Sequence, residues 1–588
     1  MKTLRVLSIS ILASMVLTGC TTFNSESTSS SASSSSQPSS SSVPEPKQDE
    51  IDDFTETKAF TYITSSYSKK NITYYHSVNT YDVPYVLFDD FYNEEYCWLY
   101  YEPTVTKEFV SRGVYRYSSE NGYFEIDCGN ETIFVHNPSH MTCALDRYND
   151  VPYIGDGIET QYVSLNDKTS LIEEQQDITF NLKDYHIDII EFDQNACIPL
   201  MTLVDMLISP NGYSMAFNGK NLYCSAYFDS DSTLKQNYIN QSPWKNSSYR
   251  TDTTADYTYN ELCFNIDHFY GLKEDRGIDK IDTVIERMGL KDDLLSLNSR
   301  TYETAMQQFV GRYYADGHSG YTLNSPFQSN FGYNEYYSAL SENQREIRLN
   351  EAIYENYSRR WPSGKGAGIT FYGNTAIVIF DTFVKGSNTK GVDVSSQSYN
   401  SLHNSCSSLF FKKAFLDIKN HGGITKVVFD ITCNGGGMVD ALPWLEAYMT
   451  DDPFITFKNT VTGEVADNHY TVDLNQDGVI NENDTYKGQY DFYILTSNYS
   501  FSCANAFATV AKAGGFAKII GQRSGGGACV VAGFATASGT IIRNSGVWQL
   551  GMYGNSWSSN DAGIPVDYEL SPEDFYNDEV IYNLVNAH

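Results

Sequence analysis

From residue 373 to residue 521, strand-like and helix-like runs alternate, and no other feature narrows the possible folds as far. Residues 376–380, 426–431, 490–496 and 517–521 are short aliphatic runs that predict buried strands. Residues 401–419, 438–449 and the Ala-rich 503–513 predict the helices between them. Such alternation implies a layered α/β core. Residues 54–264 read differently, as short β-branched and Tyr-rich runs between Asn, Gly and Asp turns. Between these regions, Tyr302, Met306, Phe309 and Tyr313 recur at helical spacing and stop at Gly317. The expected fold class is therefore α+β. A β-rich arm (54–264, two related modules if its faint repeat is real) precedes a helical subdomain (265–372) and an α/β core (373–588). The repeat sets Val83-Pro84-Tyr85-Val86 against Ile198-Pro199-Leu200-Met201, and chance similarity would look the same.

A length of 588 residues suits about three to five domains. The chain carries 73 Asp and Glu against 40 Lys and Arg, a formal charge of −33. Phosphate binding needs clustered cations, so nucleic acid is excluded as the expected partner. Forty-six tyrosines suit sheets with one wet face.

Lys2 and Arg5 precede an apolar run, residues 6–17, followed by Leu17-Thr18-Gly19-Cys20. This reads as a secretory signal too short to span a bilayer. The quartet resembles the bacterial lipobox, which implies acylation of Cys20 and cleavage after residue 19. From residue 24 to 43, 13 of 20 residues are Ser, so 20–53 reads as a tether with no apolar surface to bury. The expected location is extracytoplasmic, lipid-anchored at the bacterial cell membrane or outer membrane. The other ten cysteines show no metal-type spacing, and they suit disulfides and buried thiols equally.

Three short segments carry chemistry. Asp430-Ile431-Thr432-Cys433-Asn434-Gly435-Gly436-Gly437 runs a strand into glycines, whose amides can face an oxyanion; many such loops are only tight turns. Ser500-Phe501-Ser502-Cys503-Ala504-Asn505 places serine between a strand and a small-residue helix, where the helix dipole favours a developing negative oxygen. A plain N-cap serine has the same look. Asp316-Gly317-His318-Ser319 sets a histidine past a helix end, in reach of general-base work. Later, Asn560-Asp561-Ala562-Gly563-Ile564-Pro565 offers a carboxylate that could orient it.

In this order, residues 278–583 resemble the tail-specific (C-terminal processing) serine peptidases, in particular the tricorn-like Ser/His branch. The resemblance rests on DGHS, DITCNGGG, SCANAFA, IIGQRSGGG and GIPVD. It implies a crotonase-like α/β core, Ser502 as nucleophile and His318 as general base. It also implies amides of Gly435, Gly436 and Cys503 around the oxyanion, with no organic cofactor and a peptide or protein substrate. Many members use lysine 25 residues after the nucleophile; that position here is Gly527. The acid of the Ser/His branch should fall near position 560, which is Asn, so Asp561 is the candidate. The glutamate usual in the nucleophile segment is Asn505, and no GLGF-type loop marks a peptide-binding domain.

Residues 473–484 space Asp473, Asn475, Asp477, Val479 and Asp484 as an EF-hand loop does, with Gly478 at the turn. A structural Ca2+ is expected there; a solvated Asn/Asp turn is the alternative. The functional expectation is a membrane-tethered serine endopeptidase. The rival is a catalytically inactive peptidase-fold lipoprotein that binds a peptide or polymer at the surface. A dockerin needs two such loops, and one is present.

Overall fold

The computed structural model describes residues 54–588 except 65–67, 78–81, 97–103, 139–145, 149–150, 154–157, 159–160, 212–213, 226–231 and 385–389. Cys20, the signal and the Ser-rich tether lie outside the described residues. Among the described residues, no helix is long and apolar enough to cross a membrane.

The expected alternation forms a six-stranded sheet, in order β1 (Gly368–Tyr372), β2 (Thr375–Ile379), β3 (Lys426–Asp430), β4 (Asp491–Thr496), β5 (Lys518–Gly521) and β6 (Tyr568–Glu569). β1 pairs antiparallel with β2; the other pairs are parallel, with Ile379, Asp430 and Leu495 in register. β2 is buried throughout, as a strand covered on both faces must be. One face packs against helices Ser407–His421 and Cys503–Ala513, and the other against Asp578–Ala587. The helix expected over 438–449 is shorter, a 3-10 turn followed by Leu442–Glu446.

The β-rich region is no detached arm. Strands Val163–Leu165 and Ser170–Glu173 pair with Val465–Val472, inside a sheet that also holds Phe454–Asn459, Ile541–Tyr553 and Gly320–Leu323. One apolar cluster runs from Ile72 through Phe264 and Phe309 to Val547, so all three expected regions share a core. The boundary expected at residue 264 falls within an 18-residue helix, α1 (Asp252–Phe269). Its Thr and Tyr residues lean toward strand, but 13 of its 18 residues are buried on nearly every side of the helix, and packing overrides propensity. The two copies of the faint repeat lie side by side: Ile198 pairs with Val86 and Pro199 with Tyr85, antiparallel, and each strand runs into a short helix.

α2 (Ser299–Phe309) matches the helical stripe at 302–313, with Tyr302, Met306 and Phe309 buried. α3 (Gln344–Arg360) starts from an Asn343 cap whose side chain accepts from Arg345 and Glu346 amides. It lies over the carboxyl ends of the parallel strands: Asn356 Nδ2 donates to the Thr432 carbonyl (2.7 Å) and to Ser497 Oγ (2.9 Å). In open α/β sheets that end is where chemistry collects.

Candidate active site

Ser502 follows β4 and begins α4 (Cys503–Ala513) at φ 55°, ψ −125°. A left-handed serine is costly, and it persists only when its neighbours over-determine it. They do so through a dense hydrogen-bond set. Ser500 Oγ donates to the Ile431 carbonyl (2.8 Å), the Phe501 amide to Asn434 (3.1 Å) and the Ser502 amide to Gly526 (2.8 Å). The turn is thus stitched to the glycine loop on one side and to residues 525–526 on the other.

His318 Nε2 lies 2.9 Å from Ser502 Oγ. The imidazole is 2% exposed and packs edge-on to Phe501 (5.1 Å between centroids). Asp316 organises its turn, accepting from the His318 amide (3.0 Å), Ser319 amide (2.7 Å), Ser545 Oγ (3.0 Å) and Tyr270 hydroxyl (2.6 Å). Burial lowers the His318 pKa to about 4; Asp316 and Asp561 oppose this, while Arg543 and Arg345 add to it. The imidazole is therefore neutral at physiological pH, the form a general base needs.

The candidate acid stands differently from the expectation. Asp561 is gripped by Arg345, whose Nη1 donates to Oδ2 (3.0 Å) and Nη2 to Oδ1 (2.9 Å) and to the Asp561 carbonyl (3.2 Å). Burial pushes the Asp561 carboxyl up, but the Arg345 guanidinium, the Ala528 amide and His318 together more than offset it and hold the pKa below the usual range. Asp561 thus acts on His318 through charge, with its oxygens engaged by Arg345 and the Ala528 amide (3.3 Å). Arg345 was not legible from sequence: it sits 216 residues from Asp561, and only folding brings them together.

Of the three expected oxyanion donors, two have amides without a backbone or side-chain partner among the described residues, Gly435 and Cys503. The Gly436 amide instead donates to Asn434 Oδ1 (2.8 Å), closing the loop on itself. Gly436 is still required: a Cβ there would lie 2.6 Å from Ser502 Cβ, at a φ of 105°. Gly527 leaves no room for a lysine for the same kind of reason. A Cβ at 527 would lie 2.3 Å from the Phe501 ring. Asn505 and Asn560 form a neutral pair, Asn505 Nδ2 donating to the Asn560 carbonyl (3.0 Å) while its Oδ1 accepts from Ser524 (2.6 Å).

In the 473–484 loop, Asp473 Oδ2 accepts the Gly478 amide (2.8 Å), Asn475 Oδ1 the Asp477 amide (2.8 Å) and Asp477 Oδ1 the Val479 amide (2.8 Å). Asp484 accepts from the Asn475 (3.2 Å) and Asn481 (2.9 Å) amides, and Asn481 Nδ2 donates to the Val479 carbonyl (3.0 Å). Each oxygen that takes one N–H keeps a further lone-pair site, so the donors fit a hard cation. Among the described residues, no three His, Cys, Asp or Glu side chains gather as a metal cluster. Among the described residues, eight cysteines, Cys503 among them, are buried.

Residues 398–569 match the model of Peptidase family S41. This stretch holds the glycine loop, Ser502 and Asp561; His318 lies before it. Solved structures similar to this chain include a putative peptidase from Parabacteroides merdae (17% identity, 57% of this chain and 96% of that one, TM-score 0.39). A lipoprotein from Streptococcus agalactiae (12%, 57% and 96%, TM-score 0.34) is also similar. So is a putative S41 protease from Bacteroides fragilis (18%, 37% and 57%, TM-score 0.26). Scores below 0.5 at such identities carry no argument about chemistry. No curated protein matches the chain. The fold is a mixed α/β core with a β-rich N-terminal region.

Proposed function

We propose that the chain is an extracytoplasmic serine endopeptidase held at a membrane by lipid on Cys20. The observation that carries this reading is the 2.9 Å contact between Ser502 Oγ and a neutral, buried His318. Ser502 Oγ attacks the peptide carbonyl as His318 Nε2 takes its proton. The tetrahedral oxyanion is held by the Gly435 and Cys503 amides, the second at the positive end of α4. His318 then protonates the leaving amine, and water hydrolyses the acyl-enzyme. Asp561 favours the imidazolium that forms in each step through its charge, while Arg345 fixes its place. The acylation and export are read from the first 20 residues alone.

A fluorophosphonate probe tests the site. Wild type should be labelled, and Ser502→Ala and His318→Ala should lose labelling and peptide hydrolysis by several orders of magnitude. Wild type that stays unlabelled, or Ser502→Ala labelled equally, would refute the proposal. That result would favour the second reading, a peptidase-fold binding lipoprotein. Its structural support is the engagement of Asp561 by Arg345 and of the Gly436 amide by Asn434. We also propose that Asp473, Asn475, Asp477, Val479 and Asp484 hold a structural Ca2+, which would join the two ends of this loop and take no part in the chemistry.

A further inference from the structure

Helix α3 turns one narrow stripe toward the site. Arg345, Leu349, Asn356 and Arg360 stand at i, i+4, i+11 and i+15, within about 60° around the helix axis. All four are buried. Arg345 grips Asp561, and Leu349 packs with Tyr499 and Phe501, the residue before the nucleophile. Arg360 Nη1 donates to Asp381 (2.6 Å), just past β2.

Asn356 joins the two segments that carry the reacting parts. Its Nδ2 donates to the Thr432 carbonyl (2.7 Å), at the start of the glycine loop, and to Ser497 Oγ (2.9 Å), at the start of the nucleophile turn. Ser497 Oγ donates to the same Thr432 carbonyl (2.7 Å) and accepts from the Tyr499 amide (3.0 Å). Both N–H groups of the Asn356 amide and both lone pairs of the Ser497 hydroxyl are thereby used. Asn356, Thr432 and Ser497 are all buried, so water does not replace a bond lost among them.

The reacting groups inherit this register. Gly435 lies three residues after Thr432, and Ser502 five after Ser497. Ser500 Oγ adds a second stitch between the segments, to the Ile431 carbonyl (2.8 Å). Asn356 differs from both serines in being anchored outside the two segments, on the helix that Arg345 ties to Asp561. Eleven residues of helix separate the two, an axial rise of about 16 Å, and helical backbone keeps that spacing rigid.

We propose that Asn356 is a positioning residue of the active site, which holds the Gly435 amide at the distance from Ser502 Oγ where the tetrahedral oxyanion forms. This rests on the peptidase reading above and adds to that same site a residue that touches no reacting atom. A misplacement of about 1 Å at an oxyanion donor costs on the order of 10²-fold in rate, while ground-state binding is left as it was.

A rhodamine fluorophosphonate reacts at Ser502 Oγ with loss of fluoride, its phosphonyl oxygen turned to the oxyanion donors. Its inactivation kinetics therefore separate placement, read in kinact, from binding, read in KI. Asn356→Ala should lower kinact about 30-fold or more and leave KI within about twofold. Ser497→Ala, which removes one arm of the bridge, should lower kinact about tenfold, and the double variant should stay within about twofold of Asn356→Ala. All are labelled well below their melting temperatures, so that lost fold is not read as lost placement. Wild-type kinact in Asn356→Ala, a loss confined to KI, or additive effects in the double variant would overturn the inference and leave the peptidase reading standing. Wild type that is never labelled would overturn both. If Asn356→Ala does not fold, Ser497→Ala decides alone: a lowered kinact at constant KI supports the bridge, and wild-type kinact overturns it.

Discussion

The two flanks of His318 are built by different means. On the Ser502 side, a turn stitched by local hydrogen bonds presents Oγ at 2.9 Å, in a backbone conformation the surrounding loops enforce. On the Asp561 side, the carboxylate is held by a guanidinium from a helix 216 residues earlier. One flank is positioned by a contiguous motif, the other by a long-range ion pair. Geometry at the nucleophile should therefore survive changes that upset the electrostatics at the acid, and the reverse.

The sharpest break comes from Arg345→Met. The pair is nearly buried, 6% and 12% exposed at the side chains. Removing one partner of such a pair costs about 3–5 kcal/mol, because the other is left charged and unpaired. Arg345→Met/Asp561→Asn should regain most of that loss in urea unfolding. If Arg345→Met unfolds like wild type, the ion pair does not position the acid.

A smaller effect sharpens the same comparison through pH. With His318 near 4, hydrolysis should stay flat at neutral pH and fall only as pH drops through about 4. An acid limb centred near 6.5 would show that burial does not govern this imidazole. Stability should show two opposite trends. The folded pKa of His318 lies below its unfolded value, so its contribution is present above pH 6.5 and lost as pH falls toward 4. Burial raises Glu346, beside Arg345, to about 9, with Asp316 adding and Arg543 and Arg345 opposing. Its contribution is present below pH 4.5 and lost as pH rises toward 9. Glu346→Gln should flatten the alkaline side of a melting profile, and an unchanged slope there would refute that assignment.

The least effect belongs to the 473–484 loop, which ends 18 residues before Ser502. Excess Ca2+ should raise the melting temperature by about 2 °C or more over chelator, and Asp473→Asn should abolish the difference. No shift in wild type would remove Ca2+ from this loop.

The site was legible where it is contiguous. Ser502, the glycines and His318 sit in short motifs whose backbone demands are local, such as a serine before a helix or glycines against a crowded turn. Helix α1 was illegible because its Thr and Tyr residues suit strands, and only its burial on nearly every side selects the helix. Asn560 is neutral and tied to Asn505, so its failure as an acid was plain from sequence, while the engagement of Asp561 was not.

By itself, then, the sequence determined the α/β alternation and the short motifs that carry Ser502 and His318, because periodicity and turn chemistry act over a few residues. Tertiary structure alone decided that the β-rich region shares a core and a sheet with the α/β region. It also decided that Gly436 closes its own loop and that Arg345 holds Asp561. Such pairings join residues far apart in the chain, and their free energy arises only when burial removes water from between them.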